Sequence, residues 1–207
     1  MKPLILTLSL VLVINATAYT YSQDYDVEIN VLEDFEAGSR AANRGDHKHA
    51  LIMFEQCAKK EDARCYFALG TYYYFGDGGI EQDFEKAYEY LKKGSDGNYG
   101  PSEYLVAIML RDGVGVEKDN DKALEYLESS AYKCIPQAQE EFANFFLGMD
   151  EINGLLNAYL WFSLSAENGS VSAGEALTEV FKEAPEDFIT EALRLKSLVE
   201  KELKCQS

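Results

Sequence analysis

The sequence predicts an all-α fold, an α/α solenoid of tandem helix pairs closed by a C-terminal capping helix. Three observations predict it. Four alanines, Ala50, Ala87, Ala123 and Ala158, recur 37, 36 and 35 residues apart, each with a bulky apolar residue four positions on: Phe54, Leu91, Leu127 and Phe162. Two connectors repeat one order of residues: Gly76 and Gly78 lead through Asp83 to Lys86-Ala87, and Gly113 and Gly115 lead through Asp119 to Lys122-Ala123. A second register of small residues, Cys65, Ser102, Ala138 and Ala173, keeps the same three spacings. A fixed period in this range marks stacked supersecondary units, none of which can bury its apolar face without a neighbour.

Residues 1–18 read as a signal peptide. Met1-Lys2 supplies the positive start, Leu4 to Ile14 is an apolar run of 11 residues broken only by Thr7 and Ser9, and Ala16-Thr17-Ala18 is a small-x-small cleavage site. The run is too short for a membrane-spanning helix. Tyr19 then becomes the mature N-terminus, residues 19–29 a flexible lead, residues 30–182 the solenoid and residues 183–207 the cap. Export places the chain in the periplasm or outside the cell.

Within each unit, an alanine and the residue four positions later share one helix face. The connector glycines end the first helix of a pair in left-handed backbone. The aspartate that follows accepts from the free amides at the start of the second helix. Gly79, an additional glycine in the first connector, accounts for the spacing of 37 rather than 36. The third connector keeps its length and carries Asp150 and Gly154, but it has no Gly-x-Gly, which leaves its turn shape open. Pro185 opens the final helix. Its apolar side is Phe188, Ile189, Ala192, Leu195 and Val199; Glu191, Lys196, Glu200 and Lys201 lie opposite.

Leu69-Gly70-x-x-Tyr73-x-x-Gly76 and Gly113-Val114-Gly115-Val116, with Asp119 and Lys122-Ala123, resemble the Sel-one-like repeat family, a relative of the tetratricopeptide repeat. Ala158-Tyr159-x-Trp161-Phe162 with Ala166 and Gly169 is similar to another form of the family's second helix. Upstream, Gly38, Ala41, Gly45-Asp46 and Ala50 look more like a tetratricopeptide motif. The resemblance covers residues 30 to 182 and implies a scaffold that binds other proteins. It also implies that the first helix of each repeat lines a concave face. Leu69, Gly70 and Tyr73 then belong to the core of their repeat. Residues offset from such positions form the candidate groove: Phe35, Arg64, Phe67, Thr71, Tyr74, Tyr104, Ile108, Arg111 and Asn144, with Pro101, Gln137, Glu140 and Leu147 in equivalent registers. Tyr72, Tyr73 and Tyr74 point about 100° apart in turn, so at least one is displayed.

The four cysteines, Cys57, Cys65, Cys134 and Cys205, allow three pairings. The repeat register ends one helix at Cys57 and starts the next at Cys65. This spacing resembles that of the cysteine-rich secreted branch of the family, whose pairs cross-link two helices, and it implies a Cys57–Cys65 bridge. Cys134 with Cys205 follows only by elimination.

The net charge of −17, from 36 acidic and 19 basic residues, repels phosphate backbones and anionic lipid heads. Nucleic acid is excluded as a partner, stable membrane insertion after cleavage is not expected, and a basic protein or peptide surface suits the charge. A monomer without cofactor is expected. No metal site is assigned: Asp46, His47 and His49 form the only histidine cluster, it lacks further ligands, and Asp46 reads as a helix cap. Ser130-Ala131-Tyr132-Lys133 matches the Ser-x-x-Lys of serine β-lactamases, and the cysteine-rich branch is associated with penicillin-like compounds. The Lys-Thr-Gly and Ser-Asp-Asn partners are missing, however, and the register puts Ser130 near a helix end as a packing or solvent position. No catalytic residue is assigned. Asn168-Gly169-Ser170 matches a glycosylation acceptor but falls in a repeat turn. The leading function is a protein-binding adaptor in the envelope or outside the cell. The alternatives are a periplasmic immunity protein that neutralises a toxic effector and a β-lactam-binding protein.

Overall fold

Helix follows helix through the residues described by the computed structural model, 32–149 and 152–203, with no strand among them. The first helix, α1, covers 32–43. It is followed by α2 (His47–Ala58), α3 (Ala63–Phe75), α4 (Phe84–Asp96), α5 (Gly100–Asp112), α6 (Asn120–Tyr132), α7 (Pro136–Leu147), α8 (Ile152–Glu167), α9 (Val171–Val180) and α10 (Glu186–Val199). Four pairs result: α1/α2, α3/α4, α5/α6 and α7/α8. From α2 to α9 the helices pack in sequence order, and α10 lies against α8. The expected signal peptide, the lead at 19–29 and Cys205 lie outside the described residues.

The connectors form as their residues dictate. Gly76 and Gly113 close α3 and α5 with φ of 70°, and their amides donate to the carbonyls of Tyr72 and Met109. The amides of Asp83 and Asp119 then donate to Tyr73 O and Leu110 O, each at 3.0 Å. Their carboxylates accept from Lys86 N at 3.0 Å and Lys122 N at 3.1 Å, capping α4 and α6. The second glycine of each connector sits hard against the preceding pair. A Cβ on Gly115 would lie 2.2 Å from the carbonyl oxygen of Phe84, the first residue of α4. A Cβ on Gly78 would lie 2.4 Å from the Cβ of His47, the first residue of α2. The third connector differs: Gly148 ends α7 with φ of −74°, in right-handed backbone, and Asp150 lies outside the described residues.

Both small-residue registers are buried. Cys65, Ser102, Ala138 and Ala173 have no exposed surface, and Ala50, Ala87, Ala123 and Ala158 are at most 6% exposed. Helices can therefore approach closely there, and three apolar clusters run along the stack, over α1–α3, α3–α6 and α6–α10. In the α10 region Phe188 packs on Tyr159 and Phe181.

Two expectations are corrected. Lys196 does not join the polar face of α10. It is 9% exposed and pairs with Glu167 of α8 at 2.5 Å and with Glu200 at 3.2 Å. Its amino group thus pins α10 to α8 while its stem is buried. On α3, Tyr72 is the buried tyrosine, at 8% exposure, because its hydroxyl meets His47 Nδ1 at 2.9 Å. Tyr73, expected in the core, is half-buried and stacks on Tyr90 at 5.6 Å.

Candidate protein-binding groove

Polar ties hold the pairs in register. Ser130 Oγ donates to Gly100 O at 2.8 Å, tying α6 to α5, and Ser165 Oγ repeats the bond to Pro136 O at 2.7 Å, tying α8 to α7. A second tie changes its chemistry between repeats. In α5/α6 it is an ion pair between Lys133 and Glu103, both nearly buried. In α7/α8 the equivalent positions are Asn168 and Gln139, joined amide to amide at 2.9 Å. These contacts hold the second helices α6 and α8 against the first helices α5 and α7, which carry part of the expected groove.

The nine groove candidates take different surroundings. At the N-terminal end, Phe35 and Arg64 meet: the guanidinium carbon lies 4.5 Å from the ring centre. Asp62 holds Arg64 by three side-chain hydrogen bonds, the shortest at 2.6 Å. Phe67 packs edge-on against Tyr99 at 5.5 Å, and Thr71 turns its hydroxyl back to Ala68 O at 2.7 Å. Tyr74 packs on Phe84 at 5.5 Å and on Phe75 at 5.0 Å, within the cluster that fills α3–α6. Tyr104 is half-buried, and burial pushes its hydroxyl pKa up, with Glu141 adding to the effect.

Ile108, Arg111 and Asn144 do come together. They line a trough of about 710 Å³ between α5, α6 and α7. Its floor adds Leu124, Leu127 and Phe145, residues that sequence reasoning missed. Leu124 and Leu127 lie on a second helix, outside the expected first-helix face. Their spacing from Ala123 was the available signal. Phe145 is 40% exposed although its ring stacks parallel to Phe142. Arg111 spans the rim: Nη1 bonds Glu141 Oε2 of α7 at 3.1 Å, while Nε bonds its neighbour Asp112 at 2.8 Å. The hydrogen bond to Asp112 holds the guanidinium charged and, reciprocally, keeps the Asp112 carboxyl below its usual value.

A family model described as the Sel1 repeat matches residues 63–99, 100–133 and 153–170, which correspond to α3/α4, α5/α6 and most of α8. The chain carries Sel1 repeats over these residues. Its fold is similar to the crystal structure of a Sel1 repeat protein from Oxalobacter formigenes, with a TM-score of 0.63 at 20% identity, covering 83% of this chain and 73% of that one. It is also similar to a protective antigen of uropathogenic Escherichia coli strains that displays the same repeat fold. There the TM-score is 0.55 at 15% identity over 84% of this chain, which spans about half (46%) of that antigen's length. Among curated proteins none matches the chain. Sel1 repeats generally mediate protein–protein interaction.

Within this Sel1-repeat scaffold the other sequence candidates take structural places. Ser130 is fully buried and its hydroxyl is committed to Gly100 O, while Lys133 is held by Glu103, so both groups of the Ser-x-x-Lys tetrad make contacts between α5 and α6. Asp46 caps α2 by accepting from His49 N at 3.2 Å. Cys57 and Cys65 are joined, with Cα atoms 5.9 Å apart, and both are fully buried. Cys57, Cys65 and Asp62 are the one cluster with metal-ligand spacing among the described residues, and its two sulfurs are spent on the disulfide. Cys134 is likewise disulfide-bonded, and the partner expected for it, Cys205, lies outside the described residues. No helix among the described residues is long and apolar enough to cross a membrane.

Proposed function

We propose that this chain is an exported Sel1-repeat scaffold that binds another protein through the groove side of its first helices. The observation that carries the reading is the trough between α5, α6 and α7. It joins an apolar floor to an exposed arginine and exposed carboxamides, a composition that favours burial of a partner's side chain with polar contacts at the edge. The net charge of −17 favours a basic partner through long-range steering. Export rests on the signal-like residues 1–18 and agrees with the Cys57–Cys65 disulfide, since such bonds persist in oxidising compartments.

Chemical crosslinking of the mature chain, residues 19–207, in its native envelope fraction tests the reading. One dominant protein captured by wild type and lost by the Arg111→Ala/Asn144→Ala variant is the expected outcome. Absence of any specific partner, or equal capture by both chains, removes the groove as the working surface.

A further inference from the structure

The repeat register lets two junctions of the groove be compared side chain by side chain. Arg111 occupies on α5 the position that Tyr74 occupies on α3, and Asn120 occupies on α6 the position of Phe84 on α4. At the first junction those two rings meet edge to face at 5.5 Å and belong to the packed cluster. At the second junction the same two positions carry a rim arginine and a carboxamide. The space left between them and α7 is the 710 Å³ trough. The scaffold therefore has one closed junction and one open one.

The lining of the open junction specifies its occupant. Ile108, Leu124, Leu127 and Phe145 present only hydrocarbon, which suits one bulky apolar side chain. Asn120 of α6 and Asn144 of α7 are exposed and line the same trough. Each carboxamide carries both donors and an acceptor, the complement of a peptide unit. Among the rim charges, Arg111 is already held by Asp112 and Glu141, and one further cation and one further anion, Lys118 and Asp121, line the trough. The rim is thus nearly balanced, and the sign preference comes from the molecule's excess of carboxylates.

Resting on the scaffold reading above, we propose that the trough between α5, α6 and α7 is the peptide-docking site of this chain, and that it takes an extended segment of a partner protein with one large aliphatic or aromatic side chain between lysines or arginines. The α3/α4 junction is excluded because its own Tyr74 and Phe84 occupy the corresponding space.

The test uses the peptide Lys-Lys-Ser-Ser-Leu-Ser-Ser-Lys-Lys as probe, beside one with a central Asp and one with Glu at every Lys position. Binding to the isotope-labelled chain is followed by backbone amide shifts. Saturable shifts at Ile108, Leu124, Leu127 and Phe145 are expected with the leucine peptide, and affinity at least about tenfold lower with either control. The Arg111→Tyr/Asn120→Phe variant copies the closed junction into the open one and should bind at least about tenfold more weakly while keeping its helicity. Asn144→Ala removes an exposed carboxamide that has no hydrogen-bond partner in the fold, so it should keep the structure and weaken binding about fivefold. If the double variant does not fold, the shift map and Asn144→Ala decide. Shifts centred on Tyr74 and Phe84, no saturable response to the leucine peptide, or unchanged binding by the folded double variant or by Asn144→Ala overturn the proposal. The two readings fail differently. A natural partner captured equally by wild type and the double variant removes this location and leaves the scaffold standing, whereas the lack of any specific partner removes the scaffold itself.

Discussion

The junction of α3/α4 with α5 and that of α5/α6 with α7 share one period and one backbone plan, yet the first is filled and the second is open. The filled junction has a Gly-x-Gly connector pressed onto the start of α4, with Gly115 over Phe84, and two rings, Tyr74 and Phe84, packed edge to face. The open junction is followed by a connector without Gly-x-Gly, ending α7 in right-handed backbone at Gly148. Its two corresponding side chains are Arg111 and Asn120, both exposed. A solenoid can thus keep its stacking in one set of positions, the buried alanines and serines, and vary its surface in another.

The largest test of this contrast is at the connectors. Gly115→Val must adopt φ near 69° and drive a side chain into the Phe84 carbonyl. A loss of about 3 kcal/mol or more is expected in urea unfolding. Gly148→Ala, in right-handed backbone with no non-local atom closer than 3.5 Å, should change stability by no more than about 0.5 kcal/mol. Equal costs at the two glycines would mean that the connectors do not distinguish the junctions.

The next test concerns the ties beneath the groove. Lys133→Ala strands Glu103, which is 5% exposed and whose Oε2 already has no protein partner. The expected loss is about 3 kcal/mol, because an uncompensated charge remains buried. Asn168→Ala removes only an amide–amide bond from the equivalent place in α7/α8 and should cost about 1 kcal/mol. Converting the ionic tie to the amide form, Glu103→Gln/Lys133→Asn, should bring the cost back to within about 1 kcal/mol of wild type. If it does not, the two ties are not interchangeable solutions of one packing problem.

A smaller difference is expected at the paired surface positions. Tyr74→Ala removes a half-buried ring from the α3–α6 cluster and should cost about 2 kcal/mol. Arg111→Ala breaks ion pairs whose side chains are 36–45% exposed and should cost less than about 0.5 kcal/mol. The reverse order would show that Tyr74 is the displayed residue and Arg111 the structural one.

What could be read from the sequence was whatever a single residue must do locally. Gly113 at φ 70°, Asp119 on the first amides of α6 and the eight-residue step from Cys57 to Cys65 each answer a backbone requirement of their own segment. The groove was less legible. Whether Tyr74 is displayed depends on Phe84, across a connector, and whether Arg111 is displayed depends on Glu141 in the next repeat. Phe67 carries the same composition signal as a contact residue, but Tyr99 covers it. Lys196 looked polar because its helix pattern ignores α8, where Glu167 receives it. Periodicity reports which face a residue is on; it does not report what the neighbouring repeat places against that face.

The finest probe of the open junction is the Asp112 carboxyl. Its hydrogen bond from Arg111 lowers its pKa below the ordinary aspartate value of 3.8, with burial acting weakly in the opposite direction. A depressed carboxylate pKa contributes stability that is complete above 3.8, the unfolded value, and is lost as pH falls through the lower folded value. In Arg111→Ala the side-chain resonance of Asp112 should titrate closer to 3.8, and the acid limb of the stability curve should flatten slightly below that pH. No counterpart is expected at Tyr74→Ala, because the first junction has no such pair on its rim. A titration of Asp112 that is unchanged by removal of Arg111 would mean that this bond does not hold in solution. Arg111 would then be held by Glu141 alone, the rim would be less neutralised than its two ion pairs imply, and the preference for basic flanks on the partner would weaken.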